Sequence, residues 1–148
     1  LAVMSLVVGL IIFGTGELLV ISNQTVIIFE KSDILWRFLL AYGFASLGMS
    51  VVASLAFLFS SLVENSIGPI VSTMAVIIVF IILSAINIDF FQTIKPYLFT
   101  NYILSWRLFF DDPVDFAEVT KATLILAGHI AIFFSLALYL FKRKDILT

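Results

Sequence analysis

Few side chains in this sequence could do chemistry, and most of them are crowded into one place. There is one histidine, His129, and no cysteine. Four carboxylates, Asp111, Asp112, Asp115 and Glu118, lie close together. Without cysteine, disulfides, thiolate nucleophiles and thiolate metal ligands are all excluded. No HExxH, Walker A or nucleophile-elbow pattern occurs, so hydrolysis lacks a visible water-activating group. A metal needs more ligands than one imidazole supplies. No catalytic, cofactor or metal site is therefore expected in the chain itself, which reads as not an enzyme. The acidic run is open to two readings, a solvated turn or a contact for a cation or partner.

The elements that must carry these residues are lipid-facing. Charged residues make up only 12% of the 148 and hydrophobic ones 62%, with a mean hydropathy of +1.20. A soluble domain carries roughly 25% charge, and it needs that charge to wet its surface. The net charge of −2 supplies no basic field for nucleic acid. Crossing about 30 Å of hydrocarbon takes roughly 20 apolar helical residues. Uncharged stretches at 1–16, 38–63, 67–88 and 122–141 meet or approach that length. The first covers only about 24 Å at 1.5 Å per residue. Leu1 already belongs to it, so the start reads as a truncation. The fold class expected is all-α, a polytopic transmembrane helical bundle of about four spans forming one domain over 1–148.

Three connections join these spans. Residues 17–37 read as a mixed loop with a short strand or helix. Glu64 to Ser66 form a turn so short that its flanking spans make an antiparallel hairpin, with Asn65 or Ser66 as cap and Pro69 in the first turn. Residues 89–121 are unusual: FFQTIKPYLFTNYILSWRLFF (90–110) interleaves many aromatics with Lys95 and Arg107. Such rings favour the headgroup zone, and Pro96 interrupts any helix. An interfacial re-entrant segment of two short helices is expected there.

Polar groups inside the spans are few. Ser46, Ser50 and Ser54 recur at four-residue spacing beside Ala41, Ala45, Gly48 and Ala53. Small residues at this spacing allow close helix approach, inside the bundle or at a subunit interface. Ser72, Thr73, Ser84 and Asn87 either line a path or satisfy one another. His129 is either a proton relay or substrate contact, or a donor to a neighbouring helix. Lys and Arg near the span ends number five on one side (Lys31, Arg37, Lys95, Arg107, Lys121) and three on the other (Lys142, Arg143, Lys144). That count alone leaves orientation open.

Three stretches, LLAYGFASLGMSVVASLAFLFSSLVENSIGPIV (39–71), KPYLFTNYILSWRLFFDDPVDF (95–116) and LALYLFKRKDI (136–146), occur in an informative order. Together the chain resembles the membrane subunit of a type-2 ABC exporter, the bacterial permeases that pair with a separate ATPase. The resemblance covers roughly 36–148 and implies that 1–16 is span three of six. It implies a multi-pass protein of the plasma (inner) membrane, working with a second permease copy or homologue. ATP and Mg would be held by a partner ATPase subunit, and none by this chain. Leu1, the Glu64 turn and the 142–145 cluster would be cytoplasmic, with 17–37 and 89–121 outside. Candidate ATPase contacts are then Glu64, Asn65, Lys142, Arg143, Lys144 and Asp145. Candidate path or helix-packing positions are Ser46, Ser50, Ser54, Ser72, Thr73, Asn87 and His129. The cargo is not specified. A non-transporting membrane scaffold and an ion-coupled carrier are the alternatives, the latter disfavoured because only His129 is ionisable within a span.

A lipid solvent has a direct consequence. The chain should stay with the membrane pellet through alkaline carbonate extraction and need detergent to disperse; release without detergent would refute it.

Overall fold

The computed structural model describes residues 2–14, 16–22, 25–86 and 93–145. Four α-helices are delimited among the described residues: α1 (Ala2–Phe13), α2 (Lys31–Leu62), α3 (Gly68–Ala85) and α4 (Phe116–Asp145). A hairpin of β1 (Leu18–Ser22) and β2 (Thr25–Phe29) precedes α2, and three 3-10 stretches lie between α3 and α4, at Lys95–Tyr97, Phe99–Asn101 and Ile103–Phe110. Three helices are long and apolar enough to cross a bilayer: α2, α3 and α4. α1 has 12 residues, about 18 Å, which is short of the hydrocarbon thickness. The helical, membrane-embedded class expected from sequence is therefore met by three such helices among the described residues, plus a small β-hairpin.

Helix boundaries extend beyond the uncharged runs where polar side chains fit a helix above the bilayer. α2 begins at Lys31, seven residues before Phe38, and runs straight through Asp33 and Arg37. α4 begins at Phe116, six residues before Ala122. Both extensions, each about 10 Å long, rise at the same end. α3 returns between them, because the turn after Leu62 is only a few residues long. α2 and α4 are thus parallel, with α3 antiparallel to each.

Local chemistry explains the ends. Asn65 Oδ1 accepts a hydrogen bond from Gly68 N at 2.6 Å, and Pro69 sits in the first turn, where its missing N–H costs nothing. A Cβ at Gly68 would lie 2.6 Å from Val63 Cγ1 and 2.8 Å from Asn65 Oδ1, so the turn requires glycine. Asp115 caps α4, its Oδ1 accepting from Ala117 N (3.0 Å) and Glu118 N (3.1 Å). Of the acidic run, then, Asp115 has a structural task, and the rest of the loop is exposed, as expected of a solvated turn.

The hairpin pairs Leu18 with Phe29 and Val20 with Ile27, which puts these four on one face. Leu19, Ile21 and Ile28 point away and are exposed. An isolated two-stranded hairpin is marginal, and this one is held through Phe29, which is buried. The main core lies between α2, α4 and the 3-10 stretches, centred on Val51, Phe99 and Leu126, all fully buried. α3 keeps a broad exposed face of Ile70, Val71, Met74, Ile78 and Ile82.

Asp115→Ala should lower stability by about 1 kcal/mol, the usual cost of a lost N-cap. Asp115→Asn should restore most of it, as read by thermal unfolding in detergent.

Candidate functional site

The expected two interfacial helices take a different form. Residues 95–110 are three short 3-10 stretches packed against α2, α3 and α4. Phe99 meets Phe80 of α3 at 5.5 Å between ring centroids, His129 of α4 at 5.6 Å and Phe133 at 6.1 Å. His129 is eight residues past Lys121, about 12 Å along α4. Ile103 packs on Gly48, eleven residues or about 16 Å past Arg37 along α2, where an added Cβ would lie 3.6 Å from Ile103 Cγ2. The segment thus packs on α2 and α4 more than two helical turns along from Arg37 and Lys121. A Cβ at Gly48 would make ordinary van der Waals contact with Ile103.

Apolar surroundings demand that such a segment satisfy its own backbone. It does so with short-range bonds: Leu98 N to Lys95 O (3.2 Å), Asn101 N to Leu98 O (3.1 Å), Tyr102 N to Phe99 O (3.0 Å) and Ser105 N to Tyr102 O (3.0 Å). Pro96 has no N–H to give, and side chains serve the carbonyls around it. Asn101 Nδ2 donates to Lys95 O, and Tyr102 Oη donates to Pro96 O at 2.9 Å. Thr100 Oγ1 is the exception, buried and without a partner among the described residues.

Arg37 fastens the end of this segment. Its Nη1 donates to Phe109 O at 2.8 Å and to Asp111 O at 2.9 Å, the open carbonyls where the last 3-10 stretch ends. Its Nη2 lies 3.8 Å from Asp112 Oδ1. The guanidinium faces the Phe29 ring at 4.3 Å and the Trp36 ring at 4.9 Å. Trp36 is in turn steered by a bond from Nε1 to Asp33 Oδ1 at 3.3 Å. Arg37 is only 5% exposed, and its Nε has no acceptor among the described residues. One side chain therefore joins the hairpin, α2, the inserted segment and the acidic loop. Sequence reasoning used Arg37 only as the boundary of a span. The available signal was a basic residue at the start of a span, facing a long aromatic connection.

The aromatic residues divide between two environments. Phe99 and Phe109 are core, and Phe109 meets Phe44 edge-on at 6.1 Å. Tyr97 is exposed, as a headgroup residue would be. Phe90 and Phe91 lie outside the described residues.

The serines of α2 part company. Ser54 is buried, its hydroxyl donating to Val51 O at 2.8 Å. Ser46 and Ser50 are exposed and donate to Tyr42 O and Ser46 O, one turn back. Gly43, on the same face, has open space around it. Thr73 is buried and donates to Pro69 O (2.7 Å), and Ser84 donates to Phe80 O (2.8 Å). Ser72 is half-buried. Asn87 lies outside the described residues. His129 does not bond a neighbouring helix: its Nδ1 approaches Ile125 O of its own helix at 2.8 Å, an arrangement in which Nδ1 carries the proton. Its ring instead packs edge-on to Phe99 and Phe133.

At the far end, an open cavity of about 580 Å³ lies between α2 and α3, lined by Phe57, Ser60, Glu64, Asn65, Ser66 and Pro69. Lys142 and Arg143 are exposed at the same end of the bundle, since α4 runs parallel to α2. Lys144 and Asp145 belong to the last turn of α4, their side chains outside the described set.

Arg37→Leu should cost about 2–3 kcal/mol, since it strands the buried carbonyl of Phe109 and the part-buried carbonyl of Asp111. Arg37→Lys should recover only part, lacking the planar fork. Single cysteines placed at Thr100 or Ser105 in this cysteine-free chain should label faster with a membrane-impermeant maleimide in Arg37→Leu. Unchanged labelling would show that Arg37 does not hold the segment.

No family model, no curated protein and no solved structure matches this chain.

Proposed function

We propose that the chain is the membrane subunit of an ATP-driven exporter of the type-2 ABC class, acting with a separate ATPase and a second permease copy or homologue. It would reside in the plasma (inner) membrane and export a cargo of unspecified kind. The observation that carries this reading is the packing of the short segment 95–110 against α2, α3 and α4, through Phe99 and Ile103. An insert of this sort reaches a central path from one side of the membrane, and the family resemblance puts such a segment at this place in the order. On this reading 95–110 is a true re-entrant element, 1–16 contributes a fourth span, and the hairpin end is external.

The bundle interior supports a path between copies over one within a copy. Val51, Phe99 and Leu126 fill the middle of the single chain, whereas Ser46 and Ser50 face outward beside Gly43. A second copy facing that surface would enclose a lining of hydroxyls. At the opposite end, the cavity bounded by Ser60, Glu64, Asn65 and Ser66, with Lys142 and Arg143 nearby, has the size and mixed charge to seat part of an ATPase. Closure of the ATPase would then tilt α2 and α3 together through their shared short turn. Two states with different ATPase contacts are what this coupling requires.

The scaffold reading has one observation in its favour, the apolar packing of the single-chain core. Affinity purification of the full-length protein from its native membranes separates the two. An ATPase subunit should co-purify, and Glu64→Arg combined with Arg143→Glu should at least halve its recovery while the membrane subunit itself accumulates normally. A preparation free of any ATPase would favour the scaffold.

A further inference from the structure

A second cavity, of about 320 Å³, opens at the hairpin end where α4 meets the inserted segment. Lys95 of the 3-10 segment and Lys121 of α4 both line it, together with Tyr102, Ser105 and Glu118. Its position along the membrane normal follows from the sequence. Lys121 is the last charge before the uncharged run 122–141, so the cavity sits at the height of the lipid headgroups. One wall is held rigid by the bonds from Asn101 to Lys95 O and from Tyr102 to Pro96 O. Neither lysine is joined to a carboxylate by an ion pair among the described residues. Two ammonium groups lining one polar hollow repel one another, and an anion held there relieves that repulsion.

The surroundings select a lipid as the source of the anion. One turn below Lys121 on α4, Leu124 is exposed, and Leu104 of the inserted segment is exposed as well. Apolar side chains beneath a polar hollow suit acyl chains beneath a phosphate. Glu118 adds a negative group to the same lining, which suits a headgroup that also carries a primary ammonium. We propose that this cavity binds a phospholipid headgroup of the phosphatidylethanolamine type, phosphate to Lys95 and Lys121, ammonium to Glu118. The bound lipid would brace the inserted segment against α4, on the side opposite the Arg37 anchor. The inference rests on membrane insertion of α4 and not on the transport reading.

Native mass spectrometry of the full-length protein in detergent, titrated with defined lipids, tests it. Phosphatidylethanolamine should remain bound, and Lys95→Gln with Lys121→Gln should weaken its retention about tenfold, the scale of losing charge-assisted hydrogen bonds. Glu118→Gln should reduce phosphatidylethanolamine to the retention shown by phosphatidylcholine, whose quaternary ammonium has no N–H to donate. Arg107→Gln, a basic position on the same segment outside the cavity lining, should leave retention unchanged. Lys121 and Glu118 are exposed, so these variants should unfold at the parent temperature in lipid-free detergent, which separates loss of binding from loss of fold. Three results would overturn the proposal. They are equal weakening by Arg107→Gln, equal retention of phosphatidylcholine and phosphatidylethanolamine by the parent, or displacement of the lipid by millimolar inorganic phosphate.

Discussion

The guanidinium of Arg37 and the carbonyl oxygens of Phe109 and Asp111 hold the hairpin end of this protein in its shape. A 3-10 stretch packed against apolar helices ends with free carbonyls, and at a buried site those carbonyls need a donor. Arginine suits the task because its flat fork supplies two N–H groups to two acceptors at once. Its ring-facing surfaces are covered by Phe29 and Trp36, so the same side chain that ends the segment also seats the hairpin. Water is largely excluded, which strengthens each contact and raises the cost of removing either partner.

The placing of 95–110 follows from what it packs on. Phe99 is fully buried against rings from α3 and α4, and Ile103 packs on α2 at Gly48. Tight 3-10 turns close their hydrogen bonds over shorter distances, and the side chains of Asn101 and Tyr102 donate to the carbonyls of Lys95 and Pro96 at the start of the segment. The bundle accommodates irregular backbone at this depth because protein surrounds it, where lipid would leave it unsatisfied.

Charge is concentrated at the two ends. The hairpin end carries the acidic loop, whose members divide the work: Asp115 caps α4, Asp112 lies near Arg37, and the rest face solvent. The opposite end has the Glu64 turn with its open cavity between α2 and α3, and the basic end of α4. Between them, hydroxyls in the helices mostly bond the carbonyl one turn back, which removes their cost in hydrocarbon without creating a polar interior. Such a distribution suits a subunit whose polar business is conducted at its ends and with neighbours.

Length and composition determined the class of this protein before any coordinates. Uncharged runs near the span length at 38–63, 67–88 and 122–141 dictate helices in lipid, because each peptide group there must bond within its own segment. Asn65 and Pro69 as the start of α3 were legible too, since capping is local chemistry between residues a few positions apart. Helix ends were misjudged where charge was taken as a boundary: α2 continues through Arg37 and Asp33, because a helix does not stop at the membrane surface. The sequence could not separate Ser54 from Ser46 and Ser50, as four-residue spacing drifts around the helix and only the neighbours decide which hydroxyl is covered. Nor could it say that Phe99 is core while Tyr97 is surface. The tertiary structure alone decided the roles of Arg37, Gly48 and Phe99, for their partners are distant in the chain, and hydropathy carries no information about pairs.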